Sequence, residues 1–552
     1  MSIHTYGIRI KKVRAALLLS IKNRCKHLLT LVDTSPYSAT YGCFDRTYWQ
    51  YKVKDFPSGM SQECLYPLSL ALKNNIFINL KNKSFENLKD IILNSIRYSL
   101  LNSQNLNGSV DDYFPFEQAS GATAFTCFAI LNVIALNIVE LSELELNLLT
   151  KRLNWLSKNH ESGKLSNHEA LIALVLAMGA KLLNNSYFQK KSIERIKNLL
   201  TWRNEEGWFE EYSGFDIGYE TLTFSCLDNL KIYIPEFRSE LEKVTSKQFN
   251  LIMDFVEPDG NIGGELYARG TWNCFTHGLL SYSINKKQKF SKIISILEAR
   301  YLDFIEVKDD YIIQHHLWSD ILTYELLNDI KIDRLQNQQE TNNITQDIQI
   351  KRFYPESGHL WIKHGDYMTH ISLKKGGAFR LYKNDIFLFQ DTQNTLKINN
   401  NKYVANILNN SISYKWVTKN KLKVKGLMTK NKDNLMTTNK LIFLRLLMNS
   451  LGKYIPNIIR KLMQNLLINI KADKSRFFIR NFEFKENKLV VTDSYKIKMS
   501  EKNKVDLFET SFDSSTHNVM GKVFHPYNLL LRKARKNSKY FKNSCLNLKR
   551  EW

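Results

Sequence analysis

Two short segments of this chain carry side chains that together could move a proton off carbon. The first is Leu165-Ser166-Asn167-His168-Glu169, which opens a long apolar stretch. The second is Glu205-Glu206-Gly207-Trp208-Phe209-Glu210-Glu211-Tyr212-Ser213-Gly214-Phe215-Asp216-Ile217-Gly218-Tyr219, crowded with aromatic and acidic groups. Asn, His and Tyr suit the breaking of a C–H bond next to a carboxylate. The amide binds the carboxylate, and the imidazole and phenol transfer protons. Singly, these residues have plainer readings. Asn167 suits a helix N-cap, His168 a capping or core position, and Tyr219 the core. Arg269, in Tyr267-Ala268-Arg269-Gly270, suits a surface ion pair.

The elements that must position these groups are helical from about residue 60 to 330. Phe85, Leu88, Ile92 and Ile96 fall at helical spacing, as do Leu141, Leu144, Leu148 and Leu149. His168 to Leu182 is apolar almost all round, as in a helix buried between others. The loops between helices mix Gly, acids and aromatics, at residues 107–115, 205–219 and 258–264. Helix pairs joined in this way predict an (α/α) toroid with the loops gathered at one end of a central cleft. Aromatic faces there would stack on sugar rings, and carboxylates and amides would bind hydroxyls.

The polar run Gln336–Gln349 reads as a linker. Beyond it the apolar period falls to two. His359–Lys363, Tyr367–Leu373, Ala378–Tyr382 and Ile386–Phe389 read as short strands. Phe477–Phe484 and Leu489–Val491 flank a Lys-Glu-Asn turn and read as a hairpin. The predicted class is a multidomain α+β chain. An N-terminal extension (1–59) precedes the toroid (60–335), and a linker (336–350) leads to an antiparallel β-sandwich (351–552). The sandwich is interrupted near 436–470 by an amphipathic segment dotted with Lys and Arg, which suits packing on its own domain or contact with a membrane surface or partner.

Lys and Arg number 78 against 54 Asp and Glu, a formal charge of +24. Such a surplus favours a polyanionic partner. The chain has no helix-turn-helix signature, zinc spacing or RNA-binding aromatic motif, so a specific nucleic acid is not expected. The cysteines, at 25, 43, 64, 127, 226, 274 and 545, form no CxxC pair and read as reduced core residues. They point to a cytoplasmic protein. The run Ala15–Leu19 is short and leads into Lys22, Arg24 and Lys26, as an amphipathic helix would. No apolar stretch reaches the length of about 18 residues that a spanning helix needs. No metal-ligand cluster, calcium loop or cofactor motif occurs.

Several motifs run in order along the chain: Tyr41-Gly42-Cys43-Phe44-Asp45-Arg46-Thr47-Tyr48-Trp49, Lys54-Asp55-Phe56-Pro57-Ser58-Gly59 and Asp112-Tyr113-Phe114-Pro115. They continue through Ser166-Asn167-His168, Glu206–Tyr212, Gly218-Tyr219-Glu220-Thr221-Leu222-Thr223 and Phe353-Tyr354-Pro355-Glu356-Ser357-Gly358. In these the chain resembles the heparinase II/III-like proteins found in bacterial surface-polysaccharide gene clusters. The resemblance spans roughly residues 35 to 500. It implies a toroid followed by a β-sandwich, and a lyase that cleaves an acidic, uronic-acid-containing polysaccharide by β-elimination without a cofactor. It places the catalytic Asn and His at Asn167 and His168, and the catalytic Tyr at Tyr219, with Tyr212 as competitor. A further His comes from the first strands of the sandwich, matched by His370 or His364. Tyr113, Trp208, Glu211, Tyr212, Tyr267 and Arg269 would line the substrate path. The family's His-rich signature is thinned here to Gly365-Asp366-Tyr367-Met368-Thr369-His370. That departure suits an alternative, a non-catalytic polysaccharide-binding or assembly protein. A glycoside hydrolase would need two placed carboxylates, which Glu210, Glu211, Asp216 and Glu220 could supply.

Overall fold

The computed structural model describes residues 3–552 except 78–81, 162, 212–213, 303, 307–309, 311–312, 331–347, 400, 432–436, 460–461, 463–471, 498, 510–523, 527–534, 537–539 and 543–544. Up to residue 329 the described chain is mainly helical. Its helices are α1 (Ile3–Leu31), the single turn α2 (Arg46–Trp49), α3 (Leu65–Lys73), α4 (Asn82–Leu101), α5 (Ser120–Ala135), α6 (Glu143–Lys158) and α7 (Ser166–Leu182). They continue as α8 (Ser186–Leu200), α9 (Ile217–Tyr233), α10 (Arg238–Asp254), α11 (Thr276–Lys286), α12 (Phe290–Leu302) and α13 (Ile313–Asp329).

Six of these helices close a ring. α3 packs on α5, α5 on α7, α7 on α9, α9 on α11, α11 on α13, and α13 returns to α3. α4, α6, α8, α10 and α12 lie against them as an outer layer. Inner helices touch neighbours on both sides, so α5 and α7 are apolar and buried nearly all round. α1 belongs to the outer layer. Its Val13, Leu17, Ile21, Cys25 and Leu28 recur at helical spacing and are buried, and it packs along α12 and α13. Among the described residues, no helix is long and apolar enough to cross a membrane.

The inner helices α5, α9 and α11 are each entered by a loop from the outer helix before them. These three loops share one turn. The N–H groups of Gly108, Gly207 and Gly260 donate to the carbonyls of Asn105, Asn204 and Glu257, at 2.9, 3.1 and 2.9 Å. The N–H groups of Asn105, Asn204 and Glu257 in turn donate to the carbonyls of Ser109, Trp208 and Asn261. The glycines sit at φ +99, +107 and +82, the left-handed region that penalises a side chain. A Cβ on Gly108 or Gly260 would also stand 2.6 or 2.4 Å from a backbone oxygen of the adjoining helix.

After α13 the next described element is the strand Gln349–Tyr354, and the polar run from Gln336 lies almost wholly outside the described residues. This strand and His359–His364, Tyr367–Ser372, Ala378–Lys383 and Ile386–Asp391 form a five-stranded antiparallel meander. A ten-stranded antiparallel sheet follows, centred on Lys421–Asn431, Ala472–Lys485, Lys488–Lys496 and Cys545–Glu551. The hairpin read from sequence is its middle, pairing Phe484 with Leu489. Leu360, Ile371 and Phe379 of the meander share a core with Leu422, Val424 and Phe482 of the larger sheet. Phe379 and Phe482 meet edge-on at 5.6 Å. The helical insert begins with α14 (Thr438–Leu447) and ends outside the described residues.

A buried charge cluster joins the two sheets. Arg480 donates to Asp493 at 2.6 and 2.7 Å, to Asp391 at 3.2 and 3.3 Å, and to the Gly377 carbonyl at 3.0 Å. All three side chains are fully enclosed. Arg480→Met should therefore cost roughly 3–5 kcal/mol, because it leaves two buried carboxylates to Arg550, which pairs with Asp391 and Asp493 from the edge of the cluster. Lys421→Met, which removes an exposed pair with Glu483, should cost no more than about 1 kcal/mol. Urea unfolding of both variants beside the parent checks the contrast.

Candidate active site

The loop before α9 pairs with the start of α7, through a bridge between Leu165 and Glu211. This brings Glu211 against the first turn of α7. Its Oε2 accepts from Asn167 Nδ2 at 2.9 Å and from Ser166 Oγ at 3.1 Å, and its Oε1 accepts from Arg269 Nη1 at 2.8 Å. Glu211 is 1% exposed, so its charge is matched internally. Asn167 is buried in the first helical turn, and Leu165 holds the cap position instead. Its Oδ1 has no hydrogen-bond partner among the described residues.

Asp216 does the same for α9. It caps the helix, accepting from the N–H groups of Gly218 and Tyr219 at 3.2 and 3.3 Å. Its other oxygen accepts from the Arg269 N–H at 2.8 Å. Tyr219 and Arg269 are thereby fixed to one carboxylate, and the Arg269 guanidinium lies over the Tyr219 ring at 4.7 Å. Asn167, Glu211, Arg269 and Tyr219 form one connected set at the loop end of the ring.

His168 points the other way along that end, toward α5. Its Nδ1 is 3.1 Å from Glu161 Oε2, and its ring meets Phe125 edge-on at 6.1 Å. The ring has room because residue 121 is glycine, where a Cβ would stand 2.5 Å from His168 Cε1. Phe125 also packs on His315, at 4.7 Å. His315 Nδ1 lies 2.6 Å from Glu63 Oε2. Neither His315 nor Glu63 was among the residues singled out in the sequence. Tyr113 stands mostly exposed on the first decorated loop, within electrostatic reach of Tyr219 and Arg269.

His370, His364, Tyr267 and Trp208 take buried positions. His370 is fully buried where the meander meets the ring. Its Nδ1 is 2.6 Å from Glu257 Oε1, its Nε2 is 2.9 Å from His359 Nδ1, and its face stacks on Trp361 at 3.8 Å. Both ring nitrogens are engaged, which leaves neither for a substrate proton. His364 is buried between Thr369 and the Lys485 carbonyl, and burial lowers its pKa to about 4. Tyr267 has no exposed surface and stacks on His359 at 4.8 Å. It backs the site and does not line it. Trp208 is buried against Phe215 and bonded to Glu206. Tyr212 lies outside the described residues. Among the described residues, no group of three or more His, Cys, Asp or Glu is arranged to hold a metal ion.

No protein-family model and no curated protein matches the chain. Solved structures do. The chondroitin AC lyase of Streptomyces coelicolor A3, solved with chondroitin sulphate, superposes with a TM-score of 0.52 at 8% identity, over 90% of this chain and 68% of that one. This chain is similar in fold to a polysaccharide lyase. Another chondroitinase AC lyase gives 0.45 at 9% identity, over 91% of this chain and 68% of that one. The heparan sulfate lyase HepC from Pedobacter heparinus gives 0.38 at 11% identity, over 89% and 70%.

On this lyase-like fold, the loop end of the ring gathers buried carboxyl groups of unequal acidity. Burial raises Asp216 to about 6, although Arg269 opposes the shift. Burial raises Glu220 further, to about 8, against the pull of the Phe209 N–H and Gln248. Gln248 Nε2 donates to Glu220 Oε1 at 2.7 Å, and the Gln248 oxygen is itself buried without a hydrogen-bond partner among the described residues. A carboxyl whose folded pKa is raised favours the fold while protonated. That contribution is complete below the ordinary value of 4.5 and is lost as pH rises through about 8. Stability should therefore fall between these values in the parent. In Glu220→Gln, which imitates the protonated group, that component of the decline should vanish. Thermal melting of the two proteins across this pH range checks the sign.

Proposed function

We propose that this protein is a polysaccharide lyase that cleaves a uronic-acid-containing polymer by β-elimination. The observation that carries the reading is the connected set of Asn167, Glu211, Arg269 and Tyr219 at the loop end of a helical ring. The lyase-like fold supports it. On this reading the ring is an (α/α) toroid over 60–335, joined through 336–350 to a β-sandwich over 351–552.

Asn167 and Arg269 take the substrate carboxylate, and Glu211 positions both. When a base removes the proton at C5, negative charge moves onto that carboxylate and the C4–O bond breaks. Donors already aimed at the developing charge lower the barrier. Tyr219 is the base, the acid that protonates the leaving oxygen, or both in turn. A phenol needs positive charge close by to release a proton near neutrality, and Arg269 lies over its ring. His168 is the partner base, next to Asn167 in the first turn of α7. His370 has a positioning role, since it holds Glu257 inside the junction between ring and meander.

The enclosure of His370 also favours a second reading. A protein without an available sandwich histidine could bind an acidic polysaccharide and not cleave it, as an assembly factor in a surface-polysaccharide pathway.

Incubation with a panel of uronic-acid polymers separates the two. The lyase reading expects ultraviolet absorbance from an unsaturated uronate product, undiminished by a chelator. It also expects Tyr219→Phe to lose about 10²-fold or more in rate while keeping its melting temperature. Polymer binding without any absorbance change would establish the second reading. Full activity in Tyr219→Phe would remove the tyrosine from the mechanism.

A further inference from the structure

The helical insert of the β half presents an apolar ridge to solvent. α14 (Thr438–Leu447) runs into a wider turn, Met448–Gly452, and a short return to Ile459. Its underside is anchored. Leu444, Met448 and Ile459 are buried against Phe114 and Phe116, in the loop that carries Tyr113. Arg445 pairs with Asp55 at 3.1 Å and lies over the Phe56 ring at 5.3 Å. The insert is thus fixed to the ring beside the mouth of the site.

Its outer side is exposed among the described residues. Ile442, Phe443, Leu446, Leu451, Tyr454 and Ile458 are all exposed, Phe443 by 68%, Leu446 by 66% and Tyr454 by 73%. Exposed apolar side chains are ordinary when scattered, but a contiguous ridge of large ones marks an interaction site. The charge pattern indicates which kind. Lys440 and Lys453 stand exposed at its flanks. The sequence between Asp433 and Asp473 contains no acidic residue, while Lys440, Arg445, Lys453, Arg460, Lys461 and Lys471 all fall within it. A second copy would bring like charges together across a two-fold contact. An anionic bilayer instead offers hydrocarbon to the ridge and phosphate to its flanks.

We propose that the ridge from Thr438 to Ile459 seats the protein on an anionic lipid bilayer. Its apolar side chains enter the headgroup–acyl boundary, and Lys440 and Lys453 meet lipid phosphates. The contact is interfacial and needs no spanning helix. It also rests on different residues from the elimination chemistry, so either can fail alone.

The test is co-sedimentation of the full-length protein with vesicles of phosphatidylcholine alone and of phosphatidylcholine mixed with phosphatidylglycerol. Binding to the mixed vesicles is expected, weaker at high salt. The triple variant Ile442→Gln, Phe443→Gln and Leu446→Gln keeps every charge and alters only exposed side chains. It should partition about tenfold or more weakly, with an unchanged melting temperature. Equal binding by the variant would reduce the effect to net charge and overturn the proposal. Absence of binding to either vesicle would leave a protein partner as the occupant and overturn it equally. A concentration-dependent dimer in light scattering, lost in the triple variant, would assign the ridge to a second copy.

Discussion

A carboxylate taken out of water must find cations and donors, and at Glu211 that requirement draws the candidate site together. Its two oxygens bind Ser166 and Asn167 from α7 and Arg269 from a loop more than fifty residues further on. Removing any one of these groups would leave a buried charge partly matched. Asp216 repeats the device for the next inner helix, holding the first N–H groups of α9 and the Arg269 backbone together. Two carboxylates thus fix the relative positions of an amide, a phenol and a guanidinium. Groups held this way need little rearrangement when charge develops on a bound substrate, which is the condition for electrostatic catalysis.

The loop that ends in Arg269 is also held from its far side. Glu257, at its start, accepts from His370 and Arg380 of the meander, and Trp361 Nε1 lies 3.4 Å from its other oxygen. Burial alone would raise the Glu257 pKa, but His370 and Arg380 outweigh it and hold the group down at about 2. Lys375 donates to the carbonyls of Glu265 and Tyr267, and Arg380 to that of Gly263. The junction between ring and sheet is therefore a polar core with directional bonds, and it orients the loop more closely than apolar contact could. A depressed carboxylate such as Glu257 stabilises the fold above its ordinary pKa and loses that contribution as pH falls toward 2. The junction is accordingly an acid-sensitive part of the molecule.

The change of apolar period from helix to strand was plain in the sequence, and so were the glycines of the decorated loops. Both are local properties, set by side-chain spacing and backbone freedom. Asn167, Tyr219 and Arg269 could be picked out because short motifs carry them. The role of Glu211 could not. As a residue type it suits a sugar hydroxyl as well as a clamp, and only the bridge to Leu165 distinguishes the two. His370 looked like a free imidazole because nothing in its own strand names Glu257, more than a hundred residues earlier. The same distance concealed α13. Its Gln314, His315, His316, Ser319, Asp320 and Thr323 are all buried, a polar stripe in an apolar helix that could have been flagged. Their partners include Arg24, Glu63, Asn273 and Tyr301, and no spacing rule links residues so far apart. The N-terminal helix was set aside for a related reason, since its apolar stripe does not say which helices it will cover.

The carboxyl groups that made a glycoside hydrolase conceivable are each committed within the fold. Glu211 is engaged through both oxygens by Ser166, Asn167 and Arg269. Asp216 is taken by the start of α9 and the Arg269 N–H. Glu220 is buried between the Phe209 N–H and Gln248. Glu210, the most accessible of them, pairs with Lys164 at 2.7 Å. A hydrolase must present an acid and a base to opposite sides of a sugar, with space for water beside one of them. Buried carboxyls that already serve as caps and clamps cannot take those positions without dismantling the loop they hold. Asn167, His168, Tyr219 and Arg269 put an amide, an imidazole, a phenol and a guanidinium at this same end of the ring. On the proposed reading, that set would bind a carboxylate and move a proton next to it.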